Sequence, residues 1–104
     1  MIAETLAKIS LRPLNVLIVE DNLDDAELNV RELKRGGFEP RVEVVQTSHE
    51  FCALLATRNY HVILADYNLS GWTGLNALEL LQQMEKEIPF VLVSGALDEG
   101  AVTE

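Results

Sequence analysis

The sequence predicts an α/β domain built on an open parallel sheet. Short apolar runs recur along the chain, helical patterns lie between them, and three of the four runs are continuous rather than alternating. Continuous runs suit strands buried on both faces, and strand–helix alternation implies right-handed crossovers that cover those faces.

The first run is Val16-Leu17-Ile18-Val19. Leu23, Ala26, Val30 and Leu33 then recur at helical spacing, and Gly36-Gly37 supplies a C-terminal stop. The second run, Val42 to Val45, carries Glu43 among its valines and reads as an edge strand. Thr47 and Glu50 form a capping-box pattern ahead of Phe51, Leu54 and Leu55, which predicts a second helix. Val62-Ile63-Leu64-Ala65 is the third run. Ala77, Leu78, Leu81 and Met84 make a third helical stripe, closed by Pro89 before the fourth run, Phe90-Val91-Leu92-Val93. There is no internal repeat, low-complexity tract or interdomain linker.

Residues 1–12 read as an N-terminal leader or a short helix on which Ile2, Leu6 and Ile9 share a face, and residues 13–104 as the domain. Asp98 and Glu99 suit a helix start. Too few residues follow for an isolated helix, which needs roughly 12–15, so the fold is expected to be interrupted there.

A length of 104 residues bounds the chain to one domain, and 48% hydrophobic residues argue against disorder. Seventeen acidic residues against eight basic ones give a net charge of -9, which argues against direct nucleic-acid binding. Cys52 is the only cysteine, so neither an internal disulfide nor a thiolate metal cluster can form; it reads as a small core residue. Nothing resembles a signal peptide, and no apolar run is long enough to cross a bilayer. A cytoplasmic protein without a membrane partner is expected.

In open α/β sheets, ligands sit outside the carboxyl ends of the strands. The first strand delivers Glu20 and Asp21 there, the third Asp66, and the fourth Ser94 beside Gly95. An acidic residue at a strand end is often only a helix cap or a turn former. Carboxylates gathered at one edge repel, however, and a cation is the expected remedy. Oxygen ligands with neither His nor Cys nearby favour Mg²⁺ over zinc.

These segments resemble those of a known family. Val16 to Asn22 is similar to the acidic-pair motif that ends the first strand of response regulator receiver domains. Val62 to Leu69, with Gly74 eight residues after Asp66, resembles the phosphoacceptor segment, and Pro89 to Gly95 the fourth strand with its hydroxyl. The resemblance covers residues 15–104 in the family's order and spacing. It implies a flavodoxin-like open parallel sheet of order 2-1-3-4, with helices on both faces and the fifth strand missing.

The resemblance also implies roles in a two-component phosphorelay. Asp66 would take a phosphoryl group from a sensor histidine kinase or a phosphotransfer protein. Asp21, Asp66 and the backbone carbonyl of Asn68 would hold Mg²⁺, which Glu20 would reach through water. Ser94 would hydrogen-bond a phosphoryl oxygen. Such a domain is a phosphoacceptor rather than an enzyme, although small phosphodonors could serve it. Phosphoryl transfer fits this set, because it needs positioning and charge neutralisation more than covalent help.

Two departures qualify the expectation. Ser70 stands four residues after Asp66, where the family often has proline; it is expected to loosen the turn without touching the ligands. The family's fifth-strand lysine has no counterpart, since Lys8, Lys34 and Lys86 all lie elsewhere. The alternative function is therefore a receiver-derived interaction fragment that is not phosphorylated. A bare edge on the fourth strand, with an uncovered sheet face beside the first helix, would favour a homo-oligomer or swapped dimer. Other readings fit less well. No glycine-rich phosphate loop follows any strand, as a nucleotide or flavin binder would need. Asn68 stands where a haloacid-dehalogenase-type phosphatase would carry a second Asp, and the adjacent Glu20-Asp21 does not match a Toprim-like nuclease.

Overall fold

Strand β1 (Pro13–Val19) lies in the interior of the sheet because most side chains on it need burial: Leu14 and Val16 to Val19 are all solvent-inaccessible. The computed structural model of the chain describes residues 13–93 and 102–103. β1 pairs in parallel with β2 (Glu39–Val45) on one side and β3 (Val62–Asp66) on the other. Strands β4 (Asn68–Leu69) and β5 (Trp72–Thr73) form a separate hairpin, and β6 (Phe90–Val93) lies parallel to β3. The parallel order β2-β1-β3-β6 is the expected 2-1-3-4, with Phe90–Val93 as the fourth member and β2 at the edge.

The helices take both faces. Helix α1 (Leu23–Arg35) packs Ala26 and Leu33 against Leu14, Val16, Ile18, Val62, Leu64 and Val91. Helices α2 (Ser48–Thr57) and α3 (Gly74–Gln83) pack Phe51, Leu55, Ala77 and Leu81 against Leu17, Val19, Ile63 and Ala65. Successive residues of β1 thus feed opposite cores, which is why its apolar run is unbroken.

Local chemistry sets the boundaries. Asn22 caps α1 by accepting from the Asp24 and Asp25 N–H groups, and the helix stops at Gly36, with Gly37 at φ +93°. The Thr47/Glu50 capping box is formed, and Thr73 with Asn76 makes a second one at the start of α3. Cys52 is half-buried against the α2 core. Leu23 departs from the expected stripe. It is the first residue of α1, one turn ahead of buried Ala26, and is 64% exposed.

Two expectations are corrected. The outer edge of β6 is not wholly bare: strand β7 (Val102–Thr103) pairs antiparallel with Leu92 and Val93, the second half of β6. Backbone groups on an edge seek partners, and the chain supplies its own here. The sheet face beside α1 is not uncovered either, since Leu64 and Val91 are both buried on it. The expected homo-oligomer or swapped dimer therefore has less bare surface to draw on. The expected leader with Ile2, Leu6 and Ile9, and the expected helix start at Asp98 and Glu99, lie outside the described residues.

The β4–β5 hairpin has no counterpart in the apolar-run pattern, being only two residues long on each side. Its turn is Ser70-Gly71, with Gly71 at φ +83°, a conformation L side chains rarely adopt. Gly74, just past the hairpin, allows close packing. A Cβ there would sit 2.6 Å from the Asp66 carbonyl oxygen and against the Leu92 side chain. Overpacking of this kind costs about 1–3 kcal/mol. Gly74→Ala is expected to lower unfolding free energy by that amount in urea titration, and an unchanged midpoint would show that the backbone gives way freely.

Candidate functional site

Register brings the carboxylates together. Val19 of β1 pairs with Ala65 of β3, so the next residues, Glu20 and Asp66, leave the sheet side by side. Asp21 follows on the same β1–α1 connection. Glu20, Asp21 and Asp66 each offer a carboxylate oxygen, and these atoms all lie within 4.8 Å of one another. Glu20 is only 3% exposed, whereas Asp21 and Asp66 are half-buried.

Like charges about 4 Å apart repel by about 4 kcal/mol at an effective dielectric of about 20, which is many times thermal energy. Among the described residues no salt bridge reaches any of the three. Glu20 bears the consequence: burial, and then the neighbouring Asp66 carboxylate, push its pKa from 4.5 up to about 8. The Asn22 N–H, donating to Glu20 Oε2 at 3.3 Å, opposes this only in part. A buried acid held neutral among carboxylates is what a cation site looks like before its charge is balanced, and the donors are hard oxygens only. The residues present therefore fit a small divalent ion such as Mg²⁺.

The flanking loop completes the picture. The Asn68 N–H lies 3.4 Å from Asp66 Oδ1, so the Asn68 backbone runs against the Asp66 carboxylate. Ser94 lies outside the described residues; Val93, which precedes it, is the register partner of Asp66. Lys34 is in the last turn of α1 and Lys86 lies beyond α3, both toward the opposite end of the parallel strands.

One expectation about the loop is wrong. Ser70 does touch a carboxylate of the cluster: its N–H and its hydroxyl donate to Asp21 Oδ2 at 3.0 and 2.8 Å. No local pattern could reveal a contact spanning 49 residues of sequence. Trp72 also has a role that no local pattern marks. Its indole N–H donates to the Gln46 carbonyl at 3.0 Å, and its ring meets Phe51 edge-on with centroids 5.9 Å apart.

The Glu20 shift has a pH consequence. In the folded, metal-free chain Glu20 keeps its proton up to about pH 8, while the unfolded chain releases it near 4.5. The folded state thus binds more protons between these values, and its stability from this group falls as pH rises across that window. Glu20→Gln removes the titration. In chelator, its melting temperature is expected to gain on the wild type as pH rises from about 5 to about 8, then to hold a constant lead. A pH-independent difference would show that Glu20 is ionised throughout.

With this geometry in place, the comparisons are specific. The family model described as "Response regulator receiver domain" matches residues 16–104. No curated protein matches the chain. Among solved structures, a CheY-like response regulator receiver domain from Methylobacillus flagellatus is 34% identical, covering 83% of this chain and 71% of its own at a TM-score of 0.67. The MaeR response regulator bound to beryllium trifluoride is 26% identical, covering 82% of this chain and 70% of its own, with a TM-score of 0.65. PhyR from Bartonella quintana, in complex with the anti-sigma factor NepR, shares the fold at 20% identity and a TM-score of 0.70, covering 98% of this chain and 44% of its own. The match along residues 16–104, on the sheet order and carboxylate cluster described above, places the chain in the response regulator receiver domain family.

Proposed function

We propose that this chain is a phosphoacceptor of two-component signalling, with Asp66 taking a phosphoryl group from a histidine kinase or phosphotransfer protein. The observation that carries this reading is the convergence of Glu20, Asp21 and Asp66, carboxylate oxygens within 4.8 Å of one another, where a receiver-family sheet presents its strand ends. In the proposed step an Asp66 carboxylate oxygen forms the new bond to phosphorus. The bond from phosphorus to the donor's imidazole nitrogen breaks, and the nitrogen keeps the electron pair. Asp66 is the natural nucleophile: it ends a central strand and is half-buried, so it is both fixed and accessible.

Bound Mg²⁺ would neutralise charge on the phosphoryl oxygens and orient them toward the nucleophile. Asp21, Asp66 and the Asn68 backbone carbonyl would hold it, and Glu20 would reach it through water. Glu20 must release its proton to serve, so cation binding and deprotonation are linked. Ser94 would hydrogen-bond a phosphoryl oxygen from the β6 side. Asp21 and Asp66 are half-exposed, as access by a protein donor requires. Localisation in the cytoplasm belongs to the same proposal. Among the described residues, no helix is long and apolar enough to cross a membrane.

Intact mass after incubation with a small phosphodonor tests this directly. One phosphoryl adduct is expected with Mg²⁺, none with chelator and none in Asp66→Asn. An adduct that survives the substitution would place the chemistry elsewhere. A chain that never gains one would favour an interaction module that works without phosphorylation.

A further inference from the structure

Asp21 lies on a connection between β1 and α1, half-exposed and without a strand to hold it. The residue that orients it is Ser70, whose backbone N–H and hydroxyl both donate to the same oxygen, Oδ2. Hydrogen bonds to an ionised acceptor are shorter and stronger than neutral ones, and a carboxylate has two oxygens with about four acceptor positions between them. Oδ2 is thus held, and among the described residues no hydrogen bond reaches Oδ1.

The donors are themselves anchored. Ser70 occupies the turn of the β4–β5 hairpin, and that hairpin is tied down by Trp72, bonded to the Gln46 carbonyl and packed on Phe51. Its other end is fixed at Gly74, whose N–H donates to the Tyr67 carbonyl at 3.1 Å. Ser70 thus presents its donors from a braced loop rather than from a free side chain. The residue type matters as well. A proline here would suit a turn followed by Gly71 at φ +83°, yet would offer neither an N–H nor a hydroxyl.

We propose that Ser70 is a positioning residue of the cation site: its two donors hold the Asp21 carboxylate in the orientation that binds the divalent ion. The proposal rests on the phosphoacceptor reading above and assigns this chain's turn a part in it. Two effects compete. The donors draw charge from the carboxylate and weaken it as a ligand, but they also remove its rotational freedom. Loss of such supporting hydrogen bonds typically weakens metal binding about 10- to 100-fold, so orientation dominates. Ser70 is exposed, which puts the expected effect at the low end.

The test is calorimetric titration of the metal-free chain with Mg²⁺, comparing wild type, Ser70→Ala, Ser70→Pro and Ser70→Thr. Ser70→Ala keeps the N–H and is expected to bind about 10-fold more weakly; Ser70→Pro, losing both donors, should be weaker still. Ser70→Thr restores the hydroxyl and is expected to stay within about twofold of wild type. Circular dichroism and urea midpoints establish that each variant is folded, and a merely structural role would move those midpoints without ordering the Mg²⁺ affinities this way. If Ser70→Pro does not fold, the alanine and threonine variants decide. Wild-type affinity in Ser70→Ala, or tighter binding, overturns the Ser70 role and leaves the phosphoacceptor reading intact. No Mg²⁺ binding by the wild type at millimolar concentration would sink both.

Discussion

The close approach of three carboxyl groups at the ends of β1 and β3 is the constraint on which the rest of this site depends. Glu20 and Asp66 cannot spread apart, because they directly follow or end the most deeply buried strands in the molecule, and Asp21 is held near them by Ser70. Val16 to Val19 and Val62 to Ala65 are wholly inaccessible and bury apolar area on both faces of the sheet. The register that aligns Val19 with Ala65 belongs to a parallel ladder with helices on either side, and a slip of one residue would turn every side chain to the wrong core. A rigid scaffold thus holds Glu20 buried and beside Asp66 at a local cost: burial first, and then the Asp66 carboxylate, raise its pKa. A site built this way gains from any cation that enters it.

The β4–β5 hairpin is the second organiser. It occupies the loop after Asp66 and links three parts of the carboxyl-end surface: Asp21 through Ser70, Gln46 and Phe51 through Trp72, and the Asp66 backbone through the close approach at Gly74. Loops normally carry function at the expense of order. Here a pair of two-residue strands and a glycine turn supply the order, so the backbone beside Asp66 is fixed by contacts well outside the acidic cluster. The same bracing connects the site to α2 and to the end of β2, the elements that flank it.

At the other end of the sheet a separate polar group closes the structure. Tyr60 donates to Glu43 Oε1 at 2.6 Å, and Arg58 pairs with the same carboxylate. The tyrosine hydroxyl and then the guanidinium hold Glu43 below the usual carboxylate range, while burial and Glu43 push Tyr60 up. This explains the charge inside an otherwise valine-rich edge strand. Glu43 faces a partner on the segment leading into β3, and so helps tie the edge strand to the loop beneath it. Its ion pair with Arg58 is only partly shielded from solvent, and so contributes modestly to stability.

Residues with a local signature were legible in the sequence. Continuous apolar runs marked the parallel strands, Glu43 marked the edge strand, Gly36-Gly37 and the Thr47/Glu50 box marked helix boundaries, and the acidic residues directly after apolar runs marked the strand-end cluster. Burial on both faces, capping and strand-end placement all depend on neighbours a few residues away, so pattern alone could show them. The folded chain decided what depends on distant neighbours: the Ser70 contact to Asp21, the Trp72 tie to Gln46, the exposure of Leu23, and the pairing of β6 with Val102–Thr103. Each of these joins or separates residues far apart along the chain, or depends on how much room the packed sheet leaves. A hydroxyl, an indole or an unpaired edge reads the same in sequence whatever it will meet, and only tertiary packing chooses the partner.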